Sequence, residues 1–323
     1  MGLLSNTKLD EFNQIARFEF ETSFADASAN LAYRMITTEL PSTTKKNLYP
    51  WLASIPGFRE WIGDRVVHRL AARTYELENK HYENTFAVDK NDLADDNIGI
   101  YRPAFQLQGR LAAEFKGQEI AKKLAAGTTE LGWDNQFFFD VDHPVDIDAS
   151  GAGTQSNKLT GATYDMRTAG NEMTAYLAAR TAMRKWKRED GQAAGFVGNL
   201  IIVGPDLEAA AMRVRASMTT TVIRNVAGTE NVGAVLAPTP LSSAPEVLVL
   251  DQIDSSGGVW YLADVSKPIK PMLWQNRQDV MFDVLDRRTD ENVFSRREII
   301  WGADFRGAAG FTFPGMIFRM SPS

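Results

Sequence analysis

Imidazoles are scarce in this chain, which holds only His68, His81 and His143. His143 stands in Asp140-Val141-Asp142-His143-Pro144, with Asp146 and Asp148 close behind. Clustered carboxylates beside an imidazole suit a divalent cation. Asp140, Asp142 and His143 are therefore the candidate ligands of a metal-dependent hydrolase. A capped turn explains the same residues: Asp side chains bond nearby backbone N–H groups, and Pro144 presses His143 into extended backbone. A metal enzyme needs ligands from a second element, and the chain has no His-Glu-x-x-His motif. The turn is the better reading, and the sequence assigns no metal, no cofactor and no catalytic residue.

Two other stretches imitate chemistry. Gly151-Ala-Gly-Thr-Gln-Ser-Asn-Lys158 has the look of a phosphate loop, but such a loop ends in Gly-Lys-Ser/Thr after a strand. Here Asn157 precedes Lys158 and Leu159 follows, so a flexible surface loop is expected. Arg184, Lys185, Lys187 and Arg188 could meet phosphates, yet Glu189 and Asp190 follow at once, as at a solvated helix end. No Gly-x-Ser-x-Gly elbow occurs.

The elements around these residues follow from periodicity. Leu9, Phe12, Ala16 and Phe20 form a helical stripe in an N-terminal arm over 1–48, and need a partner surface on this chain or a neighbour. Residues 49–90 read as an extended loop, a long projecting β-hairpin. In it the apolar parity switches between Tyr75 and Leu77 on one side and Tyr82, Phe86 and Val88 on the other. Ile100, Ala104, Leu107, Leu111 and Phe115 mark the apolar face of a helix from about Asn97, capped by Asp95, Asp96 or Asn97. That helix is expected to jog at Gly117 and to close at Gly127. Another helix spans about 168–189. A buried strand covers Asn199–Gly204, and a helix starts at Pro205. Glu246–Ile253 and Val259–Val265 are expected to pair as a hairpin. Extended segments follow over about 269–276, 292–305 and 311–319. Helices early and strands late, without βαβ alternation, predict an α+β fold.

Composition sets the outer bounds. The chain has 323 residues, with 35 Lys+Arg against 41 Asp+Glu, a net charge of −6. This length suggests about two domains. The absence of cysteine removes disulfides, thiolate metal sites and cysteine nucleophiles, and fits a reducing compartment. No apolar run approaches the roughly 18 residues of a membrane span. Neither a secretory signal nor a myristoylation pattern opens the chain, Asn6 standing where Ser or Thr is wanted. An acidic balance argues against gripping nucleic acid by bulk charge.

What remains unusual is the stretch from Leu48 to Arg65. Trp51, Phe58 and Trp61 stand among Arg59, Glu60, Asp64 and Arg65, a mixture of residue types that anchors interfaces. A small aromatic core with surface ion pairs is the plainer account.

These residues carry a resemblance. Pro41-Ser-Thr-Thr-Lys-Lys-Asn-Leu-Tyr-Pro-Trp51, continued by Gly57-Phe-Arg-Glu-Trp-Ile-Gly-Asp-Arg65, is similar to the major head subunits of Mu-like phages and prophages. Phe137-Phe-Phe-Asp-Val-Asp-His-Pro144, Trp260-Tyr-Leu-Ala-Asp-Val-Ser-Lys-Pro268 and Asp290-Glu-Asn-Val-Phe-Ser-Arg-Arg297, running on to Gly302-Ala-Asp-Phe-Arg306, follow in the family's order. The resemblance implies an HK97-like capsid fold. Its parts would be the arm (1–48), the extended loop (49–90), a peripheral domain with a long spine helix (91–194), an axial domain (195–270) and strands returning to the peripheral domain (271–323).

It also implies a non-enzymatic shell protein whose hexamers and pentamers enclose double-stranded DNA in an icosahedral phage head. A separate scaffolding protein, a head protease and a portal would be assembly partners. The product would be a virion built in a bacterial cytoplasm, without a membrane. Trp51, Phe58, Arg59, Glu60, Trp61, Asp64 and Arg65 would then lie at subunit interfaces. An encapsulin-like compartment shell is the alternative on the same fold.

Overall fold

Helix α1 (Asn6–Ser28) buries Leu9, Phe12, Ala16 and Phe20, so the partner of the N-terminal stripe lies on this chain. The computed structural model describes residues 6–29, 31–49, 75–95, 99–146, 151–219, 223–224, 235–236, 244–287 and 290–322. After α1 come β1 (Thr37–Pro41), β2 (Lys46–Leu48), β3 (Glu76–Glu78), β4 (Lys80–Asp89), a short α2 (Lys90–Asp95) and the long α3 (Arg102–Ala125). Next are β5 (His143–Pro144), β6 (Thr154–Gln155), β7 (Lys158–Thr160), α4 (Glu172–Arg184), β8 (Leu200–Val203) and α5 (Glu208–Thr219). The chain ends with β9 (Glu246–Val249), β10 (Trp260–Ala263), β11 (Met272–Leu285), α6 (Glu291–Ser295), β12 (Glu298–Phe311) and β13 (Ile317–Ser321).

Two sheets organise these elements. The first has the order β1-β11-β12-β4, with β1 parallel to β11 and the other pairs antiparallel. Along β12, Ile299, Trp301, Ala303 and Phe305 alternate inward, as a half-buried strand must. Phe12 of α1 meets Trp301 and Phe105 edge-on at 5.5 and 5.7 Å, and Phe20 stacks on Phe282 at 4.6 Å. Helices α1 and α3 thus cover this sheet together. The second sheet has the order β9-β8-β10-β13-β7. Its β8 is buried at all four residues, Leu-Ile-Ile-Val, because α4 and α5 cover one face and the first core the other. Helix α4 and strand β7, which precede residue 195, join this second sheet, and so does β13 at the chain's end.

Several expected details change. Helix α3 begins at Arg102, with Pro103 in its first turn, while Asp95 ends the separate α2. It runs unbroken through Gly117, where the missing side chain makes room for Tyr33, whose ring would lie 3.2 Å from a Cβ. Gly127 serves close packing against Phe139 rather than a left-handed cap. Strands β9 and β10 are not a hairpin: β8 inserts between them, parallel to β9 and antiparallel to β10. Part of the expected strand at 292–305 is the helical turn α6. Residues 76–89 do not fold on themselves. β3 pairs with β2, and β4 joins β12, so the parity switch marks the point where the chain changes partners. Among the described residues no helix is long and apolar enough to cross a membrane.

Candidate functional site

Trp51, Phe58, Arg59, Glu60, Trp61, Asp64 and Arg65 lie outside the described residues. The base from which that stretch departs is well defined. Strands β2 and β3 pair antiparallel, with Lys45–Glu78 at 3.0 Å and a Lys46–Glu76 ion pair across the ribbon. Tyr49 N–H donates to Tyr75 O at 3.1 Å. Below them the buried Gln275 accepts from the Tyr49 hydroxyl at 2.6 Å and donates to Leu77 O at 3.3 Å. Tyr75 is buried, which pushes its hydroxyl pKa up to about 12 while the oxygen accepts the Phe311 N–H. One amide of β11 therefore clamps both sides of the loop's base.

The candidate metal residues take other roles. His143 Nδ1 lies 2.6 Å from Asp134 Oδ2, and its Nε2 lies 3.1 Å from Asn157 Oδ1, so both ring nitrogens are engaged. Asp140 Oδ1 accepts the Val141 N–H at 2.8 Å, closing a turn, and Asp142 is exposed. Among the described residues no three acidic or imidazole side chains converge as a ligand set. The hub of this region is Asn157, fully buried, whose amide donates to Phe138 O at 2.7 Å and Pro314 O at 3.1 Å and accepts from Asp140 N–H at 3.0 Å. The stretch expected as a flexible loop is thus anchored at its end, though Gly151–Thr154 are exposed. Sequence reading missed Asp134 and Asn157. The available signal was an Asn in a Ser/Thr/Gly tract, a residue type that binds backbone groups. Of the basic cluster, only Arg184 belongs to a helix, since α4 ends there.

The surface feature that stands out is apolar. Ile100, Leu107 and Leu111, read from the sequence as the core stripe around α3, are 72%, 57% and 40% exposed. The helix instead buries Phe105, Gln108, Gly109, Ala113, Ile120, Ala121 and Leu124. Phe18 of α1 and Met281 and Leu285 of β11 are exposed as well.

This α+β subunit, with its tied β2–β3 pair, long helix α3 and uncovered apolar residues, has the fold of the HK97-type phage capsid proteins. It superposes on the subunit of the procapsid of bacteriophage JBD30 with a TM-score of 0.56 and 26% identity, over 99% of this chain and 77% of that one. The chain belongs to the family of the Mu-like prophage major head subunit gpT, whose pattern matches residues 9–169 and 239–322. It is 26% identical to the major capsid protein of Escherichia phage Mu over 297 residues, 92% of this chain and 68% of the relative. Over 139 residues it is 37% identical to the Mu-like prophage FluMu major head subunit of Haemophilus influenzae, 42% of this chain and 45% of that one. It is a phage major capsid protein, a shell-forming component of the virion. The match to phage head subunits favours this reading over both the encapsulin-like compartment and the hydrolase.

Proposed function

We propose that copies of this chain tile hexamers and pentamers of an icosahedral head that encloses double-stranded DNA without reading it, and that the chain has no catalytic role. The observation that carries this is the exposed Leu107–Leu111 stripe on a helix whose opposite face already fills its own core. Large apolar side chains left in water on a well-packed subunit mark a contact surface. Head-to-tail contacts that close into rings let one chain meet many slightly different neighbours.

The loop on the clamped base adds a second contact, with Trp51, Phe58 and Trp61 supplying area and Arg59, Glu60, Asp64 and Arg65 fixing register. The four-stranded sheet with α3 would be the peripheral part. The five-stranded sheet would be the axial part, with α4, β7 and β13 counted in it. Residues 1–48 and 49–90 are the arm and extended loop of this scheme, and 271–311 return to the peripheral part. Scaffolding protein, head protease and portal would act during assembly in the bacterial cytoplasm. A net charge of −6 suits a wall that contains DNA rather than grips it.

Electron microscopy of the chain expressed alone and with its scaffold tests the proposal: shells, tubes or capsomer rings are expected. Trp61→Ala and Arg59→Glu should block them while leaving helical circular dichroism near normal. Monodisperse small particles in every preparation, or loss of the folded monomer in both variants, would overturn it.

A further inference from the structure

The chain passes between its two sheets three times. It leaves α3 for β7 through residues 126–157, returns from β10 to β11 through 264–271, and crosses back from β12 to β13 through 312–316. All three crossings line one cavity of about 390 Å³, a volume within the usual range of small-molecule sites. Trp133 comes from the first crossing, Pro268 from the second and Phe313 from the third, and Trp186 and Phe196 complete an aromatic wall. Gly315 lets the third crossing lie against that wall, since a Cβ there would come within 2.6 Å of Trp186 Nε1 and 2.7 Å of Phe196.

The polar groups around the cavity favour one sign of charge. Lys187, Arg188 and Lys267 contribute to its lining, with Glu189 and Asp134 as the carboxylates. Asp134 is already matched by His143, and among the described residues Arg188 has only Asp190, at 3.9 Å. Among the described residues Lys187 has no ion pair, and Lys267 Nζ reaches only the Gly195 carbonyl, at 3.3 Å. Aromatic walls and surplus cations together select a flat apolar body carrying an anionic group.

We propose that this cavity binds a small aromatic anion, and that its occupant fixes the angle between the two sheets. A ligand touching every crossing is held by both halves of the molecule, so it binds best at one relative orientation and shifts the population toward it. The inference rests on the cavity itself and holds whether or not the chain is assembled.

The test uses the purified full chain and 8-anilinonaphthalene-1-sulfonate as the probe. One saturable site is expected, with energy transfer from tryptophan that falls in Trp186→Phe. Lys187→Glu combined with Lys267→Glu should weaken binding roughly tenfold, whereas Lys187→Arg with Lys267→Arg should keep it within about twofold. The uncharged N-phenyl-1-naphthylamine should bind the charge-reversed and parent proteins alike. Hydrogen exchange should slow in 143–145, 267–269 and 313–316 when the probe is bound. Unsaturable binding, or equal affinity for the sulfonate after charge reversal, overturns the site. Saturable binding without slower exchange in those segments overturns its coupling to the sheets.

Discussion

His143 and Asp134 meet inside the protein: Nδ1 and Oδ2 are 2.6 Å apart, and the two side chains are 1% and 3% exposed. The other ring nitrogen faces Asn157 Oδ1, whose orientation is set by the carbonyls that its amide nitrogen serves. Nε2 is therefore the ring nitrogen that donates to Asn157, and Nδ1 faces the carboxylate. The contact ties the segment after α3 to the strand pair at residues 143–155.

Deleting one partner should cost more than an isosteric change of the other. His143→Ala leaves a buried carboxylate unmatched, and a loss of about 3–5 kcal/mol is expected in denaturant unfolding. Asp134→Asn can turn its amide to donate to a neutral ring, so a much smaller loss is expected. Equal and small losses in the two variants would mean that the pair is not a structural tie.

The crossing of α1 over α3 depends on Gly109. A Cβ at that position would lie 2.4 Å from the Phe20 carbonyl oxygen and 3.1 Å from Phe24 N, both backbone atoms that cannot swing aside. Gly109→Ala should therefore lift α1, with a loss of about 1–3 kcal/mol despite alanine's better helix propensity. Faster proteolysis within residues 6–28 would report it. An unchanged or raised stability would show that the helices slide apart at no cost.

Acid should loosen the joint between α4 and α5 through Glu172. Burial alone would raise its pKa, but its own N–H, Arg213 Nε at 2.7 Å and Gly170 N–H at 2.7 Å outweigh that and hold it below the ordinary 4.5. A folded-state value below the unfolded one gives stability that is present above pH 4.5 and lost as pH falls through the folded value. Glu172→Gln should flatten this part of the acid profile and weaken the joint between α4 and α5. Thermal unfolding of both proteins across the acid range checks it. Parallel curves would remove Glu172 from the account.

Legibility in the sequence followed locality. The stripe of α1 was readable because Leu9, Phe12, Ala16 and Phe20 bury on their own chain. Strand β8 was readable because four consecutive aliphatics need cover on both faces. The insertion of β8 between β9 and β10 was not, since 246–263 reads as a hairpin when only neighbours in sequence are weighed. The partners of His143 were hidden for a related reason. Asp134 and Asn157 flank it at 9 and 14 residues, spacings that belong to no ligand motif. In α3 the period was right but the face was inverted over the first turns, where Ala104, Leu107 and Leu111 stay uncovered while Phe115 packs against Tyr82 and Phe305.

That inversion supplies the sharpest test of the shell. Leu107 and Leu111 are 57% and 40% exposed, one helical turn apart, on the side of α3 opposite Gly109 and Ala113. In the isolated subunit both side chains are substantially exposed, so Leu107→Asp with Leu111→Asp should lower unfolding free energy by only about 1 kcal/mol, chiefly through helix propensity. In an assembled shell the same change would place two carboxylates in an apolar contact, where each unpaired charge is costly. Normal monomer unfolding together with loss of particles in sedimentation is the expected result. Full-sized particles from the double variant would show that this face looks onto solvent in the head, and the contact surface would have to be sought elsewhere.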